Sequence, residues 1–376
     1  MRVRLLKQWS KARTATVSLD ANIGQIQRMQ SSTLQNKLES VNVLAVSYSG
    51  FATRSLPFTG KPSKSVFSPR ATWQNATVTV QCHCLLAGEA VAWGLSNGTI
   101  EITRTSLPSN RNERAWASHR RSTHLATGRL TPVAGLAACA SDQGDILASV
   151  TRDCTIRIWR IQPDDQADVL YTNSLVIAGH ASHEAPYVTA ISVSTSLSHS
   201  GQFDVAVGDS LGRVTVCSTD SQNLTTRAIE EIRRNQADIE ENASLSRNDD
   251  LTLSHGDREH CIDTITHLGQ NLLVTAQRNP SLFLVDRNLS HLRVLSPGLG
   301  WTASITAIAH DNHTASSVAS DPLHFKATCI AAGTERGDVC MWLVGSEGTL
   351  SVKRFSASRF KVTSMTLTDF CLITGL

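Results

Sequence analysis

The chain has 376 residues, 41% of them hydrophobic and 18% charged, with a formal net charge of +3 at pH 7. That length admits one large repeat domain or two ordinary ones, and so small a charge excess neither requires nor excludes a nucleic-acid partner. No apolar run approaches the ~18 residues needed to span a bilayer, and residues 1–20 lack the continuous apolar segment of a secretory signal.

In chain order, residues 1–40 differ from the rest. Arg2, Arg4, Lys7, Lys11 and Arg13 precede the first acid, Asp20, and Ile23, Ile26, Met29 and Leu34 have loose helical spacing. The expectation is a basic, partly helical N-terminal extension, solvated or frayed. An arginine-rich, acid-poor presequence is a second reading of the same residues. Residues 43–46 and 51–56 read as two strands across a Ser-Gly turn, followed by a Pro-, Ser- and Lys-rich loop over 57–70.

From residue 90 a strand-turn-strand unit recurs. Its clearest copy is Asp153-Cys154-Thr155-Ile156-Arg157-Ile158-Trp159, a polar turn, an alternating strand and a tryptophan. Weaker copies begin at Ser96, Ser210, Arg278 and Glu335, each after a short apolar run. Gly98, Gly212 and Gly337 hold one turn slot, which suits a residue with positive φ. Modules repeated in this way bury their faces against neighbouring modules, which implies an all-β radial architecture.

The pattern resembles the WD-repeat β-propeller family. Trp159 and Trp342 match its terminal tryptophan, Asp153 its turn aspartate, and Gly179-His180 before residues 188–192 its Gly-His opening. Gly128-Arg129 looks like a second opening with Arg in the His place. The resemblance implies a propeller of six to seven blades over residues 41–376, incomplete at its C-terminal end unless strands from the N-terminal side close it. The family's structural hydrogen-bond set of His, Asp and Trp is complete in no unit. Counterparts of Asp153 are Asn97, Leu211, Asn279 and Arg336. A half-built polar network is worse than none, so apolar packing is expected to hold the blades. Leu5 to Asn22 is similar to the helical connector of F-box/WD-repeat proteins. With no F-box in the chain, that likeness implies a shortened form.

Two insertions are expected. Residues 104–129 carry Arg104, Arg111, Arg114, Arg120, Arg121 and Arg129 against one acid, Glu113. This is either a solvated loop or a phosphate-binding one. Residues 219–260 include a net acidic stretch over 227–250, read as disordered or a short rim helix. Residues 371–376 resemble the first half of one more copy.

No catalytic, cofactor or metal site is expected. Cys82-His83-Cys84 is too tightly spaced for zinc, and in a strand His83 points away from both cysteines. The nine cysteines are odd in number, and most fall in expected strands. They read as small buried hydrophobes in a reducing compartment, which implies a cytoplasmic or nuclear location. No Gly-rich phosphate loop, nucleophile elbow or His-Glu-x-x-His stretch occurs. The expected function is therefore a non-catalytic scaffold for other proteins or peptides, with a ubiquitin-ligase substrate adaptor as the favoured form, implied by the family likeness. An RNA-associated scaffold in RNA processing or ribosome biogenesis is the alternative, and no membrane partner is expected. Residues just before inner strands and between blades are the candidate contacts: Arg129, His180, His183, Glu184, Tyr187 and Trp301.

Overall fold

A computed structural model describes residues 25–28, 40–47, 50–57, 66–69, 78–86, 90–104, 122–126, 131–141, 144–162, 167–174, 187–195, 202–219, 261–269, 271–277, 279–286, 289, 292–298, 301–310, 328–345, 348–357, 359–367 and 372–375. Among them every regular element is a β-strand, and all strand pairs with a described register are antiparallel neighbours in sequence. Two compact units are present: Trp73–Ile305, and Met1–Thr72 with Thr306–Leu376.

The first unit holds four sheets. Sheet 1 belongs to the second unit, with β1 (Gln25–Arg28), β2 (Ser40–Ser47), β3 (Gly50–Pro57) and β4 (Val66–Pro69) in that order. Sheet 2 contains β5 (Val80–Leu86), β6 (Ala90–Leu95), β7 (Thr99–Arg104) and β8 (Ser122–Ala126). Sheet 3 contains β9 (Val133–Ser141), β10 (Gly144–Thr151), β11 (Thr155–Ile161) and β12 (Ala167–Ser174). Sheet 4 has β13 (Val188–Thr195), β14 (Phe203–Asp209) and β15 (Val214–Ser218), and sheet 5 has β16 (Ile262–Leu268), β17 (Asn271–Ala276), β18 (Leu282–Asp286) and β19 (Leu292–Leu295).

Sheet 6, in the second unit apart from its first residue, has β20 (Ile305–His310), β21 (Thr328–Thr334), β22 (Asp338–Gly345) and β23 (Gly348–Ser356). Sheet 7 has β24 (Ser364–Leu367) and β25 (Leu372–Gly375). Within that unit β1 lies beside β24 and β25, so the first described strand meets the last two.

Consecutive sheets share their cores. Leu86, Ile100 and Ile102 of sheet 2 pack with Leu136, Leu147 and Trp159 of sheet 3. The other face of sheet 3, with Ile146, Val150, Ile156 and Ile158, packs on Val193, Val205 and Val207 of sheet 4. Val214 and Val216 then meet Ile262, Leu272 and Phe283 of sheet 5. In the other unit Ala331, Val339 and Met341 of sheet 6 meet Val362 and Met365 at sheet 7. A strand covered on both faces has no polar side, which is why β6 and β14 are buried along their whole length. Each fully buried Leu or Ile contributes about 1.5–3 kcal/mol.

The approach of one sheet to the next depends on glycine. A Cβ on Gly208 would lie 2.4 Å from Cγ2 of Ile262, and a Cβ on Gly333 would lie 2.5 Å from Cγ1 of Val362. Gly94 fills the same place in sheet 2, against Val133. Sheet 3 has Val150 there instead. Its glycine has moved to the paired position on β9, Gly135, where Ile191 of sheet 4 comes in.

Three elements correct the sequence reading. Gln25–Arg28 is a strand inside the stretch expected to be helical, because pairing with β2 overrides a weak helical spacing. Val66–Pro69 is the fourth strand of sheet 1, not part of a loop, with its proline at the strand's end on an edge. Ser122–Ala126, inside the span read as the 104–129 insertion, is the outer strand of sheet 2. The remaining residues of the N-terminal extension, and the 219–260 insertion apart from Thr219, lie outside the described residues.

Candidate interaction surface

In sheets 2 to 5 the turn between the second and third strands is held from two directions. In sheets 2 to 5 the first turn residue donates its N–H to the carbonyl just ahead of the sheet's first strand: Ser96 to Thr79 (2.9 Å), Arg152 to Pro132 (3.0 Å), Ser210 to Tyr187 (3.0 Å) and Gln277 to Cys261 (2.8 Å). In two sheets the clasp is reciprocal. Ser96 Oγ accepts from Thr79 N at 3.0 Å and Ser210 Oγ from Tyr187 N at 3.2 Å.

The second hold is on the N–H that opens the third strand, which would otherwise be an orphaned donor. A side-chain oxygen takes it in five sheets. Asn97 Oδ1 accepts from Thr99 N (3.1 Å), Asp153 Oδ1 from Thr155 N (3.4 Å) and Asn279 Oδ1 from Ser281 N (2.8 Å). Sheets 4 and 6 have Leu211 and Arg336 in the turn place and supply the oxygen from the end of the second strand. Asp209 Oδ1 accepts from Arg213 N (2.9 Å) and Leu211 N (2.9 Å), and Thr334 Oγ1 accepts from Asp338 N (3.1 Å). Asp209 also receives Arg213 Nε at 2.6 Å. The positive-φ slot is Gly98 (79°), Gly212 (75°) and Gly337 (83°), with Cys154 (61°) as the non-glycine case. These contacts give short, rigid turns on which side chains are held in fixed positions.

The tryptophan pairing also recurs, in altered form. Trp159 Nε1 donates to Ser149 Oγ at 3.1 Å. In sheet 2 the partners have exchanged strands: Trp93 stands on β6 where Ser149 stands on β10, and donates to Thr103 Oγ1 at 3.3 Å, the threonine filling the place of Trp159. Trp342 is fully buried in sheet 6.

Of the six residues expected to make contacts, Tyr187 and Trp301 are described, while Arg129, His180, His183 and Glu184 lie outside the described residues. Tyr187 has its N and its carbonyl both clasped by Ser210, and its side chain is 43% exposed. Trp301 is half-buried, and its indole Nε1 is enclosed without a hydrogen-bond partner. The structural residues Asp153, Trp159 and Trp342 are placed as above, and His180 is outside the described set.

Among the described cysteines, Cys84, Cys154, Cys217, Cys261 and Cys340 are buried and Cys82, Cys139 and Cys329 half-buried. Desolvation pushes Cys82, Cys139, Cys217 and Cys340 up to about 12 and raises Cys84 further. A thiol held protonated in this way is a poor nucleophile and metal ligand. Burial lowers His83 to about 4, with its ring tilted against Trp93 at a centroid distance of 6.0 Å. Among the described residues no group of three His, Cys, Asp or Glu side chains is placed to hold a metal ion.

Sequence reasoning missed Arg359, Phe360 and Lys361, which are exposed just ahead of Val362, the residue sheet 6 packs on. The available signal was a basic-aromatic triplet before an apolar alternation.

Comparison with solved structures defines the fold as a WD40-type β-propeller. The chain is similar to the WD40 β-propeller domain of Doa1 (TM-score 0.54, 12% identity, 96% of this chain and 92% of that one). It is similar to the RRP9 WD40 repeats (TM-score 0.53, 15% identity, 96% and 88%) and to the computationally designed Ika8 protein (TM-score 0.53, 13% identity, 95% and 94%). No protein-family model matches the sequence. A comparison with curated proteins gives no match either.

Proposed function

We propose that the chain is a non-catalytic scaffold that binds other proteins through the turns and strand starts of its sheets. The observation that carries this reading is Tyr187, a large side chain presented to solvent from a backbone clasped at both its N–H and its carbonyl. Pre-ordering an aromatic anchor removes part of the entropy cost of binding. Partner proteins recovered with the intact chain are expected to be lost with Tyr187→Ala. An unchanged partner set would refute the role of this surface.

Within that class we favour a substrate-recognition adaptor of a ubiquitin ligase, acting in the cytoplasm or nucleus. The support is the likeness of Leu5 to Asn22 to the connector of F-box/WD-repeat proteins. Ligase subunits among the recovered partners are its expected mark. The alternative, an RNA-associated scaffold, is supported by the arginine-rich stretch over 104–129. It requires retention of RNA on a filter at low salt and steep loss as salt rises.

A further inference from the structure

One end of sheet 6 gathers cations and exposed aromatics from consecutive segments. Ala357 N donates to Gly337 O at 2.9 Å and Val362 N to Thr334 O at 2.9 Å. The chain between them is thereby tied at both ends to the turn that carries exposed Glu335 and Arg336. That tied segment presents Arg359, Phe360 and Lys361, with Phe360 70% exposed. The adjoining strand β23 adds exposed Val352, Arg354 and Phe355. No Asp or Glu occurs from 352 to 361, while Lys353, Arg354, Arg359 and Lys361 do.

Among the described residues β23 is the last strand of its sheet, pairing with β22 on one side. Cations on such an edge ordinarily discourage strand addition by other chains. That accounts for Lys353 and Arg354 but not for Phe355, Phe360 and Val352. Large apolar side chains on an edge strand, and on the segment that follows it, promote the contact that the charges would deter. Cations and apolar groups together select one kind of partner, a strand that is itself acidic.

We propose that β23 and residues 359–361 form a docking site for an acidic peptide segment, bound extended along the outer edge of β23. The peptide backbone continues the ladder, its carboxylates meet Arg354, Arg359 and Lys361, and its apolar residues cover Phe355 and Phe360. A strand edge offers N–H and C=O groups at the repeat of a peptide backbone, which a phosphodiester chain does not match. This names the chemistry of a partner for the scaffold proposed above and rests on that reading only in requiring a protein ligand.

The test uses the full chain and a fluorescent peptide of alternating Glu and Leu, about ten residues long. Its Lys-Leu counterpart, a form N-methylated at alternate amides and an oligouridylate are the controls. Saturable binding of the acidic peptide is expected, weakened roughly tenfold or more by the pair Arg354→Glu and Arg359→Glu and by Phe355→Ser with Phe360→Ser. N-methylation is expected to weaken it similarly by blocking the ladder, and Tyr187→Ala to leave it unchanged. Equal binding of the N-methylated peptide, or tighter binding of oligouridylate than of the acidic peptide, overturns the proposal. So does absence of saturation, or indifference to both double substitutions in variants whose circular dichroism is that of the parent. Because Tyr187 belongs to the other compact unit and is no part of this site, failure here leaves the partner-recovery result above to stand or fall separately.

Discussion

Sheets 3 and 4 are neighbours in sequence and solve the same local problems with different residues. Sheet 3 places Asp153 in its turn and Trp159 at the end of β11. Sheet 4 has Leu211 and Cys217 in those places, yet the N–H opening its third strand is still captured, by Asp209 from the strand before. The buried pair Trp159–Ser149 is replaced in sheet 4 by Cys217 and Val207, both apolar. The repeat therefore preserves a requirement, not a residue. A donor must be met from one of two positions, while the buried polar pair is complete in sheets 2 and 3, replaced by apolar groups in sheet 4, and polar at only one of its two places in sheets 5 and 6, Thr275 and Trp342.

The largest effect that tests this comparison lies where the sheets approach each other. Gly208→Val puts a side chain where a Cβ alone would be 2.4 Å from Ile262. Overpacking of this kind is expected to lower stability by about 3 kcal/mol, read as a fall in the urea midpoint. Sheet 3 carries Val150 in that place because Gly135 makes room opposite. Gly135→Val is thus expected to be as damaging as Gly208→Val. A mild effect at either position would mean that the spacing between sheets is not set by these contacts.

Sheet 2 differs from sheet 3 in carrying a titratable group, His83, where sheet 3 has Leu136. Burial lowers His83 from 6.5 to about 4, so in the window between these values the unfolded chain takes up the proton first. Stability from this site is complete above pH 6.5 and is lost as pH falls toward 4, by about 3 kcal/mol at most. His83→Leu, which gives sheet 2 the residue type of sheet 3, is expected to flatten that acid limb in urea melts taken from pH 7 to 4. An unchanged limb in the variant would assign the acid sensitivity to other groups.

The turn acids provide a sharper contrast. Asp209→Ala removes the acceptor of two backbone N–H groups and of Arg213 Nε, an expected loss of about 2–3 kcal/mol. Asp153→Ala removes the acceptor of Thr155 N, at the longer distance of 3.4 Å, and of Thr151 Oγ1, whose hydroxyl can turn instead to Thr155 O at 3.2 Å, so about 1 kcal/mol is expected. Family resemblance alone ranks these two in the opposite order, since only Asp153 matches the pattern. Equilibrium unfolding of the two variants decides between the rankings.

Much of the fold was legible for a physical reason. Strands buried on both faces read as apolar runs, and turns needing positive φ select glycine, so the copies at Gly98, Gly212 and Gly337 were visible as strand, turn and strand. β1, β4 and β8 were not, because four or five residues at the edge of a sheet carry little pattern and are defined by pairing with the adjacent strand across a connection that has no regular pattern of its own. The substitution of Asp209 and Thr334 for a turn acid was hidden as well, since a side chain two residues earlier reaches the same N–H only once the turn is built. At the candidate surface Tyr187 was legible from its place ahead of β13. Arg359, Phe360 and Lys361 were missed because the residue that follows them, Val362, is recognisable as the start of the next module only from its seat against Gly333.

The smallest expected effect separates a pair from its halves. Ser149→Ala leaves the Trp159 indole N–H, in a side chain that is 4% exposed, without its 3.1 Å acceptor. The expected loss is about 1 kcal/mol, the lower end for a buried donor left unmet. Ser149→Ala combined with Trp159→Leu removes both polar atoms, as sheet 4 has done, but also removes the volume of an indole ring, so its loss is expected to be larger overall. The informative quantity is the difference between Ser149→Ala made in the parent and the same change made beside Trp159→Leu. If Ser149 acts as the acceptor of the indole N–H, the serine is expected to be worth about 1 kcal/mol beside tryptophan and close to nothing beside leucine. Equal values in the two backgrounds would show that Ser149 acts through its own bond to Arg157 O, at 3.5 Å, and not through the indole.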